Sequence, residues 1–111
     1  MQHNMKLQLD PFLKIKEGTK TIEMRLYDDK RKNIKVGDTI TFTNLQTLEE
    51  IVCKVKNLFL FETFEELYKH FDKIKLGYNI DEIASFEDME KYYSKDEQKS
   101  FGVVGIEVEL L

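Results

Sequence analysis

Tryptophan is absent from the chain, and there is one proline, one cysteine and two histidines. The lone cysteine, Cys53, has no partner for an internal disulfide. It fits a reducing compartment, and the cytoplasm is the expected location. One cysteine with His3 and His70 cannot supply the paired ligand spacing of a structural zinc site, nor does it point to a His-based triad. No metal or cofactor is expected. The chain lacks a G-x-x-x-x-G-K-[ST] phosphate loop and a G-x-G-x-x-G turn. No apolar run approaches the roughly 20 residues needed to span a bilayer as a helix, so no membrane contact is expected. The N-terminal stretch MQHNMKLQLD has neither the basic start nor the apolar core of a signal peptide.

What remains is a chain of 111 residues, 41% hydrophobic, 12% aromatic and 34% charged. That length suits a single domain over 1–111 with one modest core. A net charge of −4 argues against a surface that binds nucleic acid all over. The charge is uneven, however. Residues 1–60 hold 11 Lys+Arg against 8 Asp+Glu, a balance of +3, and residues 61–111 hold 6 against 13, a balance of −7. A locally basic face on an acidic protein is therefore open, and KRKNIK, residues 30–35, is its densest stretch.

Periodicity and punctuation give the elements. LDPFLKIKEG reads as a short helix with Asp10 as N-cap, Pro11 in the first turn and Gly18 just past its end; Phe12, Leu13 and Ile15 form its buried side. A strand follows, with Ile22, Met24 and Leu26 on the face turned into the barrel and Thr21, Glu23, Arg25 and Tyr27 on the other. TITFTNL is a second strand with Ile40 and Phe42 inward. EEIVCKVKNLFLF is a third, longer strand, with Ile51, Cys53, Val55 and Phe59 on one face. Thr63 and Glu66 match a capping box ahead of a helix striped by Phe64, Leu67, Tyr68 and Phe71. Ser85 with Asp88, and Ser94 with Glu97, mark two further helix starts. FGVVGIEVELL closes the chain as a strand. The expected order is helix, three strands, two or three helices and a final strand. The elements do not alternate as in a parallel α/β sheet. The expected class is α+β: a small, partly closed antiparallel barrel with helices packed outside.

The strand at 22–26 carries more charge than packing requires. Glu23 and Arg25 are two residues apart and can pair or share a ligand. Lys20 stands at the strand entrance, just after Gly18. The spacing G-x-K-x-x-E-x-R, here Gly18, Lys20, Glu23 and Arg25, resembles the signature of the ASCH domain. NIKVGDTITF resembles that family's next strand, and YYSKDEQKSFGVVGIEVEL its last helix and closing strand.

The resemblance implies a PUA-like pseudo-barrel and a cleft between barrel and helices, floored by the signature strand. It implies RNA or a modified nucleoside or nucleotide as the partner. The implied ligand-binding residues are Gly18, Lys20, Glu23, Arg25 and Tyr27. Lys30, Arg31, Lys32 and Lys35 would form a basic rim, and Tyr27 and Tyr78 could stack bases. A branch of small bacterial members is similar to amidohydrolases of N4-acetylcytidine, which gives a second reading: a metal-independent hydrolase with Lys20 and Glu23 as catalytic residues. That branch uses a Thr where this chain has Glu23. A third reading is an adaptor without a ligand.

Overall fold

The computed structural model describes residues 1–111. The elements in chain order are β1 (Gln2–Leu7), α1 (Leu9–Glu17), β2 (Ile22–Leu26), α2 (Asp29–Lys32), β3 (Thr39–Asn44), β4 (Glu50–Phe61), α3 (Phe64–His70), α4 (Lys73–Leu76), a 3-10 helix (Phe86–Lys91), α5 (Lys95–Phe101) and β5 (Val103–Leu110). One curled sheet runs in the order β1-β3-β4-β5-β2. The pairs β3–β4, β4–β5 and β5–β2 are antiparallel and β1–β3 is parallel. The class is the α+β, PUA-like one expected, with the closing strand beside an early one. β1 and β2 are the two free edges, so the barrel has an open seam.

β1 is an element the sequence reading missed. Met5 and Leu7 alternate inward with Asn4 and Lys6 outward, a period of two that polar neighbours had masked. α1 starts earlier than expected. Gln8, not Asp10, occupies the N-cap; Asp10 lies in the first turn and pairs with Lys14 at 3.0 Å. Gly18 ends the helix at φ 89°, donating its N–H to the carbonyls of Lys14 and Ile15. Phe12 and Ile15 are buried, but Leu13 is exposed. The cap at Thr63 is half a capping box: Thr63 Oγ1 accepts from Glu66 N–H, while the Glu66 carboxylate accepts from Glu62. At Ser94 both halves form.

β4 corrects a second expectation. A register shift between Val55 and Asn57 marks a bulge, after which Leu58 pairs Ile106 and packs on the barrel core. The extra residue moves Phe59 off the face of Ile51, Cys53 and Val55. Its ring instead meets His70 and Phe71, at centroid distances of 5.8 and 5.1 Å.

There are two apolar clusters. The larger fills the barrel, with Phe12, Ile40, Phe42, Val55, Val104 and Ile106 at its centre. The smaller lies between sheet and helices and holds Ile22, Met24, Leu26, Phe64, Leu67 and Leu76. The apolar face of β2 therefore packs against the helices rather than into the barrel. Its partner strand shows why the other face is the inner one. Glu23 stands opposite Ile106 and Arg25 opposite Val104, both residues of the barrel core.

Asp38 ties β1 to the turn before β3. Its carboxylate accepts from His3 Nε2 at 2.8 Å, Lys35 N–H at 3.0 Å and the Met1 ammonium at 3.1 Å. The His3 bond, with the others, lowers its pKa from 3.8 to about 2. A lowered carboxyl pKa contributes stability above its unfolded value, and that contribution is lost as pH falls toward the folded one. Asp38→Asn is therefore expected to lower the melting temperature at pH 7 and to meet the parent curve as pH drops from about 4 to 2. Thermal melts across that range check this; a gap independent of pH would refute it.

Candidate nucleic-acid cleft

The cleft forms where β2 leaves α1. Beyond Gly18, the N–H groups of Thr19 and Lys20 both donate to Lys14 O, which folds the chain back tightly. Thr21 N–H donates to Lys75 O, so α4 is tied to the entrance of β2. The Lys20 stem then runs under Gly77. That glycine has φ 106°, and a Cβ on it would stand 3.1 Å from Lys20 Cδ. The site thus needs glycine both for the backbone turn and for close approach.

Lys20 Nζ donates to Leu76 O at 3.0 Å and lies 3.4 Å from Glu23 Oε1. Arg25 Nε donates to Glu23 Oε2 at 2.7 Å, and Arg25 Nη2 donates to Lys6 O on β1 at 3.0 Å. One carboxylate is held between two cations at the open seam. Lys20 and Glu23 are each only 5% exposed. Lys14 Nζ completes the clasp on α4, donating to Gly77 O at 2.7 Å.

Electrostatics follow from this packing. Burial pushes the Lys20 pKa below its ordinary value, with Glu23 opposing the shift in part. Burial alone would raise Glu23, but Lys20 and Arg25 outweigh it and hold the carboxyl below its ordinary value. Burial likewise works against Arg25, and the charge of Glu23, with the Tyr93 hydroxyl beside it, leaves its pKa raised. The carboxylate stays ionised and acts as an acceptor only.

These three side chains line a cavity of about 270 Å³. Its other walls include Lys6, Pro11, Leu45, Met89, Tyr92 and Tyr93. A larger depression of about 780 Å³ lies between the end of β4, α3 and α5. Its buried polar residue, Gln98, is already satisfied: Oε1 accepts from Phe64 N–H and Nε2 donates to Tyr93 O. The smaller cavity, with charged groups at its floor, is the better candidate.

Not every residue implied by the resemblance reaches it. Gly18 is a helix cap outside the lining. Tyr27 packs on the barrel core, with Lys32 Nζ 5.9 Å from its ring centroid. Tyr78 meets Tyr68 at 2.8 Å and donates to Asp88 at 2.7 Å, and it lies outside the cavity lining. Arg31 is bound to Asp28 at 2.8 Å. Lys30, Lys32 and Lys35 are exposed, and only Lys30 reaches a depression next to the cleft. His70 is exposed among phenylalanines, and burial pushes the Cys53 thiol up to about 11. No group of three His, Cys, Asp or Glu side chains gathers closely enough to hold a metal ion. Lys6, Met89, Tyr92 and Tyr93 were missed by sequence reasoning. They come from elements far apart in the chain, and no local spacing announces them.

A curled five-stranded half-barrel, helices on its outside and a charged cluster at its open seam define a PUA-like domain. The chain belongs to the ASCH domain family, whose model matches residues 5–111. It is similar to the crystal structure of a hypothetical protein, PH0355, with 32% identity, all of both chains covered and a TM-score of 0.84. It is also similar to the solution structure of protein PF0455 from Pyrococcus furiosus, at 33% identity and a TM-score of 0.71, covering 100% of this chain and 98% of that one. A mutant ASCH protein from Zymomonas mobilis shares the fold, at 11% identity and a TM-score of 0.66, over 96% of this chain and 66% of that one. No curated protein matches the chain. No helix is long and apolar enough to cross a membrane.

Proposed function

We propose that this protein is a cytoplasmic, single-domain binding module for single-stranded RNA or a modified nucleotide, with Lys20, Glu23 and Arg25 as the floor of its site. The observation that carries this reading is the buried Lys20–Glu23–Arg25 cluster at the base of a cavity walled by Tyr92 and Tyr93. A guanidinium has five N–H donors and an ammonium three, so both retain donors after their bonds within the chain. Those donors suit the carbonyl and phosphate oxygens of a nucleotide, and the remaining lone pairs of Glu23 suit an exocyclic amine. The two tyrosines offer faces on which an unpaired base can stack.

The lowered pKa of buried Lys20 favours one further reading, a hydrolase of acylated nucleosides in which Lys20 takes up a proton. Incubation with N4-acetylcytidine and mass detection of free cytidine separates turnover from binding.

Fluorescence anisotropy with labelled single-stranded RNA tests the binding reading. Affinity is expected to fall as salt rises, since phosphate contacts release counterions. Arg25→Lys keeps the charge but loses the planar fork, and is expected to weaken binding by about tenfold, the scale of one charge-assisted hydrogen bond. A folded Arg25→Lys variant with unchanged affinity would place the contacts elsewhere.

A further inference from the structure

The cleft does not end at Arg25. A second depression, of about 510 Å³, lies on the outer side of the β1–β2 seam. Asn4, Lys6, Arg25, Lys30, Thr43 and Glu50 line it. Lys6 and Arg25 line both this depression and the cleft. The sheet order leaves β1 and β2 at opposite edges and not paired with each other, so no backbone ladder closes this seam. The bond from Arg25 Nη2 to Lys6 O bridges it. Arg25 therefore has one side toward the cleft and one toward the seam.

The charges in the seam are unequal. Lys6, Arg25 and Lys30 are cations, and Glu50 is the one acid in the lining. Glu50 has only a long contact of 3.5 Å with the Thr43 hydroxyl, and its charge offsets one of the three cations. Arg25 keeps N–H donors beyond the two it uses within the chain. Arg25 is offset in part by Glu23 at 2.7 Å, as the neighbouring Arg31 is by Asp28 at 2.8 Å, so Lys6 and Lys30 carry the seam's unpaired positive charge. An excess of positive charge thus continues directly from a nucleoside-sized cavity, with Lys6 on the β1 edge, Arg25 on the β2 edge and Lys30 on α2.

We infer that the β1–β2 seam is a phosphate subsite, in which Lys6, Arg25 and Lys30 hold the backbone phosphate next to the nucleotide seated in the cleft. The inference rests on the binding reading above and sharpens its ligand class. The preferred ligand is a strand or a phosphorylated nucleotide, and a free nucleoside fills only half of the site. Lys6, which no local motif marks, becomes a specificity-determining residue for phosphate. The cleft supplies stacking and hydrogen bonds to the base; the seam supplies charge that is insensitive to base identity.

The test compares three probe sets by calorimetric or anisotropy titration: the four ribonucleosides, their 5′- and 3′-monophosphates, and a random hexaribonucleotide. The parent protein is expected to bind the phosphorylated probes at least tenfold more tightly than the nucleosides. In the double variant Lys6→Gln, Lys30→Gln that ratio is expected to fall toward one. The slope of log affinity against log salt for the hexaribonucleotide should also shrink by about 0.7 for each phosphate that the variant no longer neutralises. Circular dichroism confirms that the variant is folded; Lys30→Gln alone, at a fully surface position, gives the same direction if the double variant is not. Equal affinity for nucleosides and phosphorylated probes, or a ratio unmoved by the substitutions, would overturn the phosphate subsite and leave the cleft standing. Failure of every probe to bind the folded parent protein would overturn both.

Discussion

Replacing Glu23 by glutamine is expected to destabilise the protein by about 3–5 kcal/mol, the cost of breaking a buried ion pair by removing one partner. Glu23 lies between Lys20 at 3.4 Å and Arg25 at 2.7 Å, with almost no exposure to water. Glutamine preserves the shape but leaves two cations facing each other across a neutral amide. Water cannot replace the missing charge at so buried a place. For a chain of this size the loss corresponds to a fall of about 10–20 °C in melting temperature. The pH dependence has a definite sign. The Glu23 pKa is lowered in the folded state, so its contribution is present above the ordinary carboxylate range and fades as pH falls through the folded value. The gap between parent and variant should therefore narrow in acid. Lys20→Met is expected to cost less than Glu23→Gln, because burial already disfavours the Lys20 charge and Glu23 retains Arg25. Urea denaturation of the three proteins decides this; a Glu23→Gln cost below about 1 kcal/mol would show that the cluster is screened as a surface pair is.

The second large effect is expected at Phe64. It opens α3, is fully buried, and stacks on Tyr93 with centroids 5.7 Å apart and planes 22° from parallel. Phe64→Ala should cost about 3–5 kcal/mol through reduced burial and the cavity left behind. That is a large fraction of the about 5–15 kcal/mol that stabilises an ordinary domain, so measurements belong well below physiological temperature. The effect should also reach the ligand. Tyr93 is both a wall of the cleft and a neighbour of Arg25. Without its stacking partner that wall loosens, and RNA affinity should fall in the variant under conditions where it is still folded. An affinity equal to the parent's would mean that Tyr93 is positioned by other neighbours or takes no part.

Which features were legible in the sequence follows from how local their causes are. The helix end at Gly18, the cap at Ser94 and the inward Ile40 and Phe42 each depend on a few neighbouring residues, and the structure has them as read. Asp10 was misjudged as a cap because Gln8, a weaker capping type, in fact holds that position. β1 was passed over because its outward residues are polar and its inward set begins with His3; only its parallel pairing to β3 makes it a strand. Phe59 was misplaced because a bulge inserts one residue and inverts the alternation beyond it. The faces of β2 show the same limit. Alternation separates Ile22, Met24 and Leu26 from Glu23 and Arg25, but it cannot say which set turns into the barrel. At the cleft, the spacing of Lys20, Glu23 and Arg25 is local, so their convergence could be anticipated. Tyr92, Tyr93, Met89 and Lys6 arrive through tertiary packing alone, and so do the carbonyls of Leu76 and Gly77 that anchor Lys20 and Lys14.

The central claim is that ligand enters the cleft at the open seam. Amide chemical-shift mapping of the isotope-labelled protein during titration with a short single-stranded RNA tests it most directly. The account predicts saturable shifts concentrated at Lys6, Lys20, Glu23, Arg25, Tyr92 and Tyr93, extending to Lys30. Saturable shifts confined to the groove around Phe86, Lys99 and Phe101, or no shifts at low salt, would contradict it.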